Sequence, residues 1–155
     1  MPQVTKGGKF IFGWSRIGAD GGITLPPQAV REYDIIREGK VILFTGSKST
    51  GGFCVTRRGL WLTSKLGFVL ENVPAVANCE STPCTWIRIK GRHYCWTQIS
   101  ESGEILLPRE TLDFLQMKSG EQLLSIRSSD IAFTMGHHGQ LVERARLFGG
   151  EVEVY

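Results

Sequence analysis

Residues 14–25 read WSRIGADGGITL, and residues 96–107 read WTQISESGEILL. At a fixed offset of 82, Trp14 matches Trp96, Ile17 matches Ile99, Gly21 matches Gly103, Ile23 matches Ile105, Leu25 matches Leu107 and Pro26 matches Pro108. The match continues through small insertions and deletions, pairing Gly39 with Gly120, Phe53 with Phe133 and Gly59 with Gly139. Upstream, KGGKFIFGW (6–14) resembles KGRHYCW (90–96). So long a period is not that of a solenoid. It implies a duplicated small unit whose copies pack about a pseudo-two-fold axis, as the subunits of a symmetric dimer do. The expected division is a first repeat over 1–70, a linker over 71–86 and a second repeat over 87–155. One repeat alone is near the lower limit for a self-sufficient core, so the two are expected to form one compact domain.

Within each copy the residues predict strand, turn, strand, short helix, strand, turn, strand. Residues 9–17 are rich in aromatic and β-branched types and read as a strand. Asp20-Gly21-Gly22 is a turn, because Asp bonds its own backbone and Gly supplies positive φ. Ile23-Thr24-Leu25 is the return strand. Pro26-Pro27 ends strand pairing for want of an N–H and suits the first turn of a helix over 28–33. Gly39 breaks that helix from the strand 40–44; GSKSTGG (46–52) is a turn before the strand 53–56. The second copy runs in the same order. ESGEILLPRETLDFL (101–115) gives turn, strand and helix; 122–128 and 132–135 are strands; 140–148 is helical and 151–155 a strand. LWLTSKLGFVLENV (60–73) fits helix or strand, and VPAVANCESTPC (73–84) reads as loop.

Charge is divided unevenly. Residues 1–70 carry ten Lys/Arg against four Asp/Glu, and residues 94–155 carry five against nine. A basic first repeat suits a polyanion and an acidic second repeat does not. The other reading is that the two repeats attract each other.

A turn with Gly, a hydrophobic pair, Leu-Pro, a short charged helix and then Gly before a strand resembles the SpoVT/AbrB family. The carriers are DGGITLPPQAVREYDIIREGKVILF (20–44) and ESGEILLPRETLDFLQMKSGEQLL (101–124). Two such units in one chain are similar to the MraZ group of that fold. The resemblance implies a mainly β protein with short helices, a swapped-hairpin β-barrel in which both tandem repeats lend interleaved strands. It also implies a DNA-binding transcription regulator that acts by occupying promoters, often self-associated. The alternative that it carries is a protein-interaction or antitoxin-like module that kept the barrel and lost DNA binding. The second repeat departs from the DNA-binding pattern. Members that bind DNA typically carry Arg directly after the turn Gly, where this chain has Gly22 and Glu104. Arg16 is kept in the strand before the turn, but its counterpart is Gln98. Arg31 is kept on the first helix, whereas Leu112 and Asp113 stand on the second.

Double-stranded DNA is gripped by cations on its phosphates. The candidate contacts are Lys6, Lys9, Arg16 and Arg31, with Lys48, Arg57 and Arg58 extending the stripe from the second hairpin. The competing reading is an ordinary solvated basic face. Trp14 and Trp96 are expected as paired core anchors near the pseudo-axis, a base-stacking platform being the lesser alternative. Cys79, Cys84, His93 and Cys95 carry zinc-ligating side chains, but without a C-x2-C knuckle, so no metal site is expected. His137-His138 matches Arg57-Arg58 and reads as exposed turn residues. No nucleophile–base spacing, phosphate loop or dinucleotide motif occurs, so neither catalysis nor a cofactor is expected. The opening MPQVTKGGKFIF has no long apolar run and no stretch nears 18 apolar residues, so neither signal peptide nor membrane span is expected. The expected location is cytoplasmic, with free thiols. An acidic second repeat leaves room for a protein partner.

Overall fold

In the computed structural model, residues 10–45, 50–62, 82–89, 91–147 and 152–155 are described. Lys6, Lys9, Lys48 and Cys79, with most of the ambiguous 60–73 segment and the 73–84 loop, lie outside them. The first repeat supplies β1 (Ile11–Arg16), β2 (Gly22–Thr24), α1 (Pro27–Tyr33), β3 (Lys40–Thr45), β4 (Phe53–Thr56) and α2 (Arg58–Leu62). The second supplies β5 (Ile87–Ile89), β6 (Arg92–Gln98), β7 (Glu104–Leu106), α3 (Arg109–Phe114), β8 (Gln122–Arg127), β9 (Phe133–Gly136) and α4 (Gln140–Leu147). The expected order of elements is found in both copies. β5 is an added strand, and instead of a full strand over 151–155 there is an isolated parallel bridge, Val154 to Trp14.

The fold is mainly β. Seven antiparallel strands run in the order β1-β8-β9-β4-β3-β6-β5, and β2 pairs with β7 in a separate ribbon. Among the described residues the large sheet is open, with β1 and β5 at its ends. Its pairing crosses between the repeats. β1 of the first pairs with β8 of the second, Trp14 opposite Leu124. β6 of the second pairs with β3 of the first, Trp96 opposite Ile42. Two pairs are self-complementary. The ribbon centres on Ile23 opposite Ile105, and β4–β9 centres on Cys54 opposite Thr134. Both centres join matching residues of the two copies, so a pseudo-two-fold axis passes through them, as in an isologous interface.

The repeated Gly and Leu-Pro have one physical explanation. The Leu107 N–H donates to the Gly21 carbonyl at 3.0 Å, and the Leu25 N–H donates to the Gly103 carbonyl at 2.9 Å. Each turn is thus stitched to the other repeat's strand end. Gly21 sits at φ +88°, and a Cβ there would collide with the Leu107 backbone. Only glycine combines that φ with so close a backbone approach.

The large sheet is buried on both faces, so its strands read as apolar runs and not as alternation. One face carries Phe12, Val41, Leu43, Phe53, Val55, Leu123, Phe133 and Met135, against the ribbon's Ile23 and Ile105 and the helices' Ala29, Tyr33 and Leu112. On the other face, Trp61 of α2 packs with Ile42, Phe44 and Tyr94. Val142 and Ala145 of α4 cover Ile11, Trp14, Leu124 and Ile126. Trp14 and Trp96 are both buried, as core anchors should be. They do not stand near the axis as expected: β1 and β6 are each separated by a strand from the β4–β9 pair that crosses it.

Candidate nucleic-acid interface

Arg16 ends β1 opposite Gln122. Lys40 begins β3 opposite Gln98. The offset of 82 relates these two pairs, so each flank holds one cation and one carboxamide, on opposite strands. Both cations belong to the basic first repeat, and strand exchange carries one of them to each flank. The uneven charge of the sequence is therefore not segregated into two bodies. The β2–β7 ribbon runs between the flanks. The Ser15 hydroxyl at the end of β1 donates to the Thr24 carbonyl of β2 at 2.6 Å. On the other side, Ile99 bridges Ile105 of β7.

Arg31 lies on the exposed side of α1, near enough to Tyr155 for its charge to act on the phenol. The Arg16 N–H donates to the Tyr155 carbonyl at 3.5 Å, and the Tyr155 ring lies over Gly13, where a Cβ would leave no room. Burial pushes the Tyr155 phenol up, as does its hydrogen bond to Glu153, while the Arg31 charge pulls it down. Among the described residues, the Arg16 and Arg31 guanidiniums form no ion pair. Both are exposed, so their charge is free to meet a phosphate.

Arg57 is placed differently. Its guanidinium is 12% exposed and bonds Glu38 at 2.9 Å, while its Nε donates to the Tyr33 carbonyl at 3.2 Å. It locks the end of α1 to the end of β4 and is not offered to a ligand. Arg58 next to it is exposed at the start of α2. His137, the counterpart of Arg57, also departs from the expected exposed turn. It bonds Glu121 at 2.8 Å. Both repeats therefore use the residue after their last strand to hold a carboxylate in the turn before β3 or β8. Burial works to raise the Glu121 carboxyl, but hydrogen bonds from His137 and the Lys118 N–H overcome it and hold it below the usual carboxylate value.

The second flank has a different surface. Glu104 and Asp113 are exposed, as are Leu106 at 52% and Phe114 at 45%. Trp86 stacks on Phe114, and His93 meets it edge-on at 4.8 Å. His93 is thus an aromatic packing partner. Cys54, Cys84 and Cys95 are free thiols. Burial pushes the Cys84 and Cys95 thiols up, away from the thiolate that zinc takes. Among the described residues no three His, Cys, Asp or Glu side chains converge; Cys79 lies outside them. No helix among the described residues is long and apolar enough to cross a membrane.

Lys40 and its pairing with Gln98 escape a reading of the sequence, because strand partners in the other repeat are needed to relate Lys40 to Arg16. The Glu38–Arg57 clamp escapes it too, the two residues being far apart along the chain. No protein-family model matches this chain, and no curated protein is significantly similar to it in sequence.

Proposed function

We propose that this chain is a DNA-binding transcription regulator of the AbrB type, which acts by occupying promoter DNA and not by chemistry. The observation that carries the reading is the pair of exposed guanidiniums, Arg16 and Arg31, without an ion-pair partner among the described residues, beside a ribbon on a pseudo-two-fold axis. Cations fixed on a rigid scaffold neutralise phosphates and release counterions, which is the main source of affinity for duplex DNA. The exchange of β1 and β6 between repeats supports the swapped-hairpin architecture. The Ser15–Thr24 bond and the Ile99–Ile105 bridge support its closure into a barrel through the ribbon. Arg58 joins the phosphate-facing set, Lys6 and Lys9 join it on sequence grounds, and Arg57 serves the fold. The reading includes a cytoplasmic, self-associating protein without a cofactor.

Titration of the purified protein into labelled mixed-sequence duplex at several salt concentrations tests it. Micromolar binding with a log–log salt slope of about −3 to −5 is expected, as three to six phosphate contacts give. A second reading, a protein-interaction or antitoxin-like module, is favoured by the exposed Leu106 and Phe114 beside Glu104 and Asp113. Absence of DNA binding even at low salt would select it.

A further inference from the structure

The pseudo-two-fold axis makes a symmetric grip on DNA geometrically available, and the side chains at matching positions break it. On the first flank stand Arg16, Arg31 and Gly22; their counterparts on the second are Gln98, Asp113 and Glu104. All three counterparts are exposed. The second flank keeps two cations: Lys40, whose ammonium lies over the Trp96 ring at 5.4 Å, and Arg109, exposed on α3 beside Asp113. Asp113 is 4.0 Å from Arg109, an open pair with both side chains mostly in solvent.

Resting on the DNA-binding reading, we infer that the chain holds duplex DNA from one side of its pseudo-axis, and that Gln98 and Asp113 keep the second half-site weak. The ribbon lies across the duplex with both flanks within reach. Arg16 and Arg31 neutralise phosphates on one side. On the other, a carboxamide and a carboxylate stand at the matching positions, so contact through these two adds no counterion release and the carboxylate repels the backbone. A single chain therefore has one half-site that is more cationic than the other, where two copies of its first repeat would have two alike. Recognition by one chain is directional, and a palindromic site requires a second chain.

The test uses the full chain on one duplex, with the salt dependence of binding as readout, and each cation gained or lost moves the log–log slope by roughly 1. Arg16→Ala with Arg31→Ala is expected to flatten the slope by about 2, while Lys40→Ala changes it by less than half as much as Arg16→Ala alone. Gln98→Arg with Asp113→Arg is expected to steepen it by about 2 and tighten binding at least tenfold at low salt. All these positions are exposed, and thermal unfolding of each variant verifies an intact fold. An unchanged slope in the Gln98→Arg/Asp113→Arg protein would overturn the inference, as would a Lys40→Ala loss equal to that of Arg16→Ala. Failure of the unaltered chain to bind DNA would sink the regulator reading itself, an outcome distinct from either.

Discussion

At the level of single residues, ion pairs separate the basic side chains that hold the fold from those left for a ligand. Arg57 is the clearest case. Removing it takes the cation from Glu38, which keeps the Gly59 N–H, and the donor from the Tyr33 carbonyl, and a charge-assisted pair of this kind contributes about 1.5–3 kcal/mol. Arg57→Ala is therefore expected to lower the free energy of unfolding in urea by that amount, with a DNA salt slope that stays as it was in the protein that remains folded. The sequence alone puts Arg57 and Arg58 in one basic stripe, because adjacent arginines look alike until one of them meets a partner far along the chain. His137 and Glu121 supply a pH test. The Glu121 carboxyl is held below its ordinary value, so its contribution to stability is present above about pH 4.5 and is lost as the pH falls through the lower folded value. Unfolding in urea between pH 6 and pH 3 should show the unaltered chain losing stability in this window, and His137→Ala losing less. Equal losses would mean that His137 does not hold the carboxylate.

At the level of elements, the two glycine–leucine signals are the most legible part of the sequence, and their meaning is only partly local. Gly21 and Gly103 do make turns, as their composition implies. Their recurrence in step with Leu25 and Leu107 reflects hydrogen bonds that cross between the repeats. Glycines with similar φ then differ in what they tolerate. Gly21→Ala drives a Cβ into the Leu107 backbone, whereas at Gly39, φ +69°, nothing lies within 4 Å. Gly39→Ala is expected to cost about 1 kcal/mol, the strain of a left-handed residue, and Gly21→Ala at least about 3 kcal/mol. Comparable unfolding midpoints for the two variants would contradict the close approach of turn and strand. Strand positions were legible from apolar runs such as KVILF because both sheet faces are buried. β5 was not, since three residues in IRIKGR carry little periodicity.

At the level of the whole molecule, the duplication announces two copies and leaves open who pairs with whom, because exchanged and unexchanged strands share one hydrophobic pattern. The exchange has a thermodynamic consequence. β1 and β3 find their partners in the second repeat, so a polypeptide of residues 1–70 leaves both strands with an open edge. Neither 1–70 nor 87–155 is expected to unfold cooperatively as a monomer in sedimentation and circular dichroism, and mixing the two should restore the transition. A cooperative monomer from either would argue against the observed pairing. The exchange also explains how a basic repeat and an acidic repeat yield one surface on which Arg16 and Lys40 stand on opposite flanks. That surface is where function is to be tested, by anisotropy titration of labelled duplex with the unaltered chain and with Arg16→Ala/Arg31→Ala, from low to physiological salt. Micromolar binding with a slope of about −3 to −5, flattened by about 2 in the double variant while the unfolding midpoint stays put, is the expected result. No binding by the unaltered chain at the lowest salt, or a slope indifferent to both arginines, would contradict it.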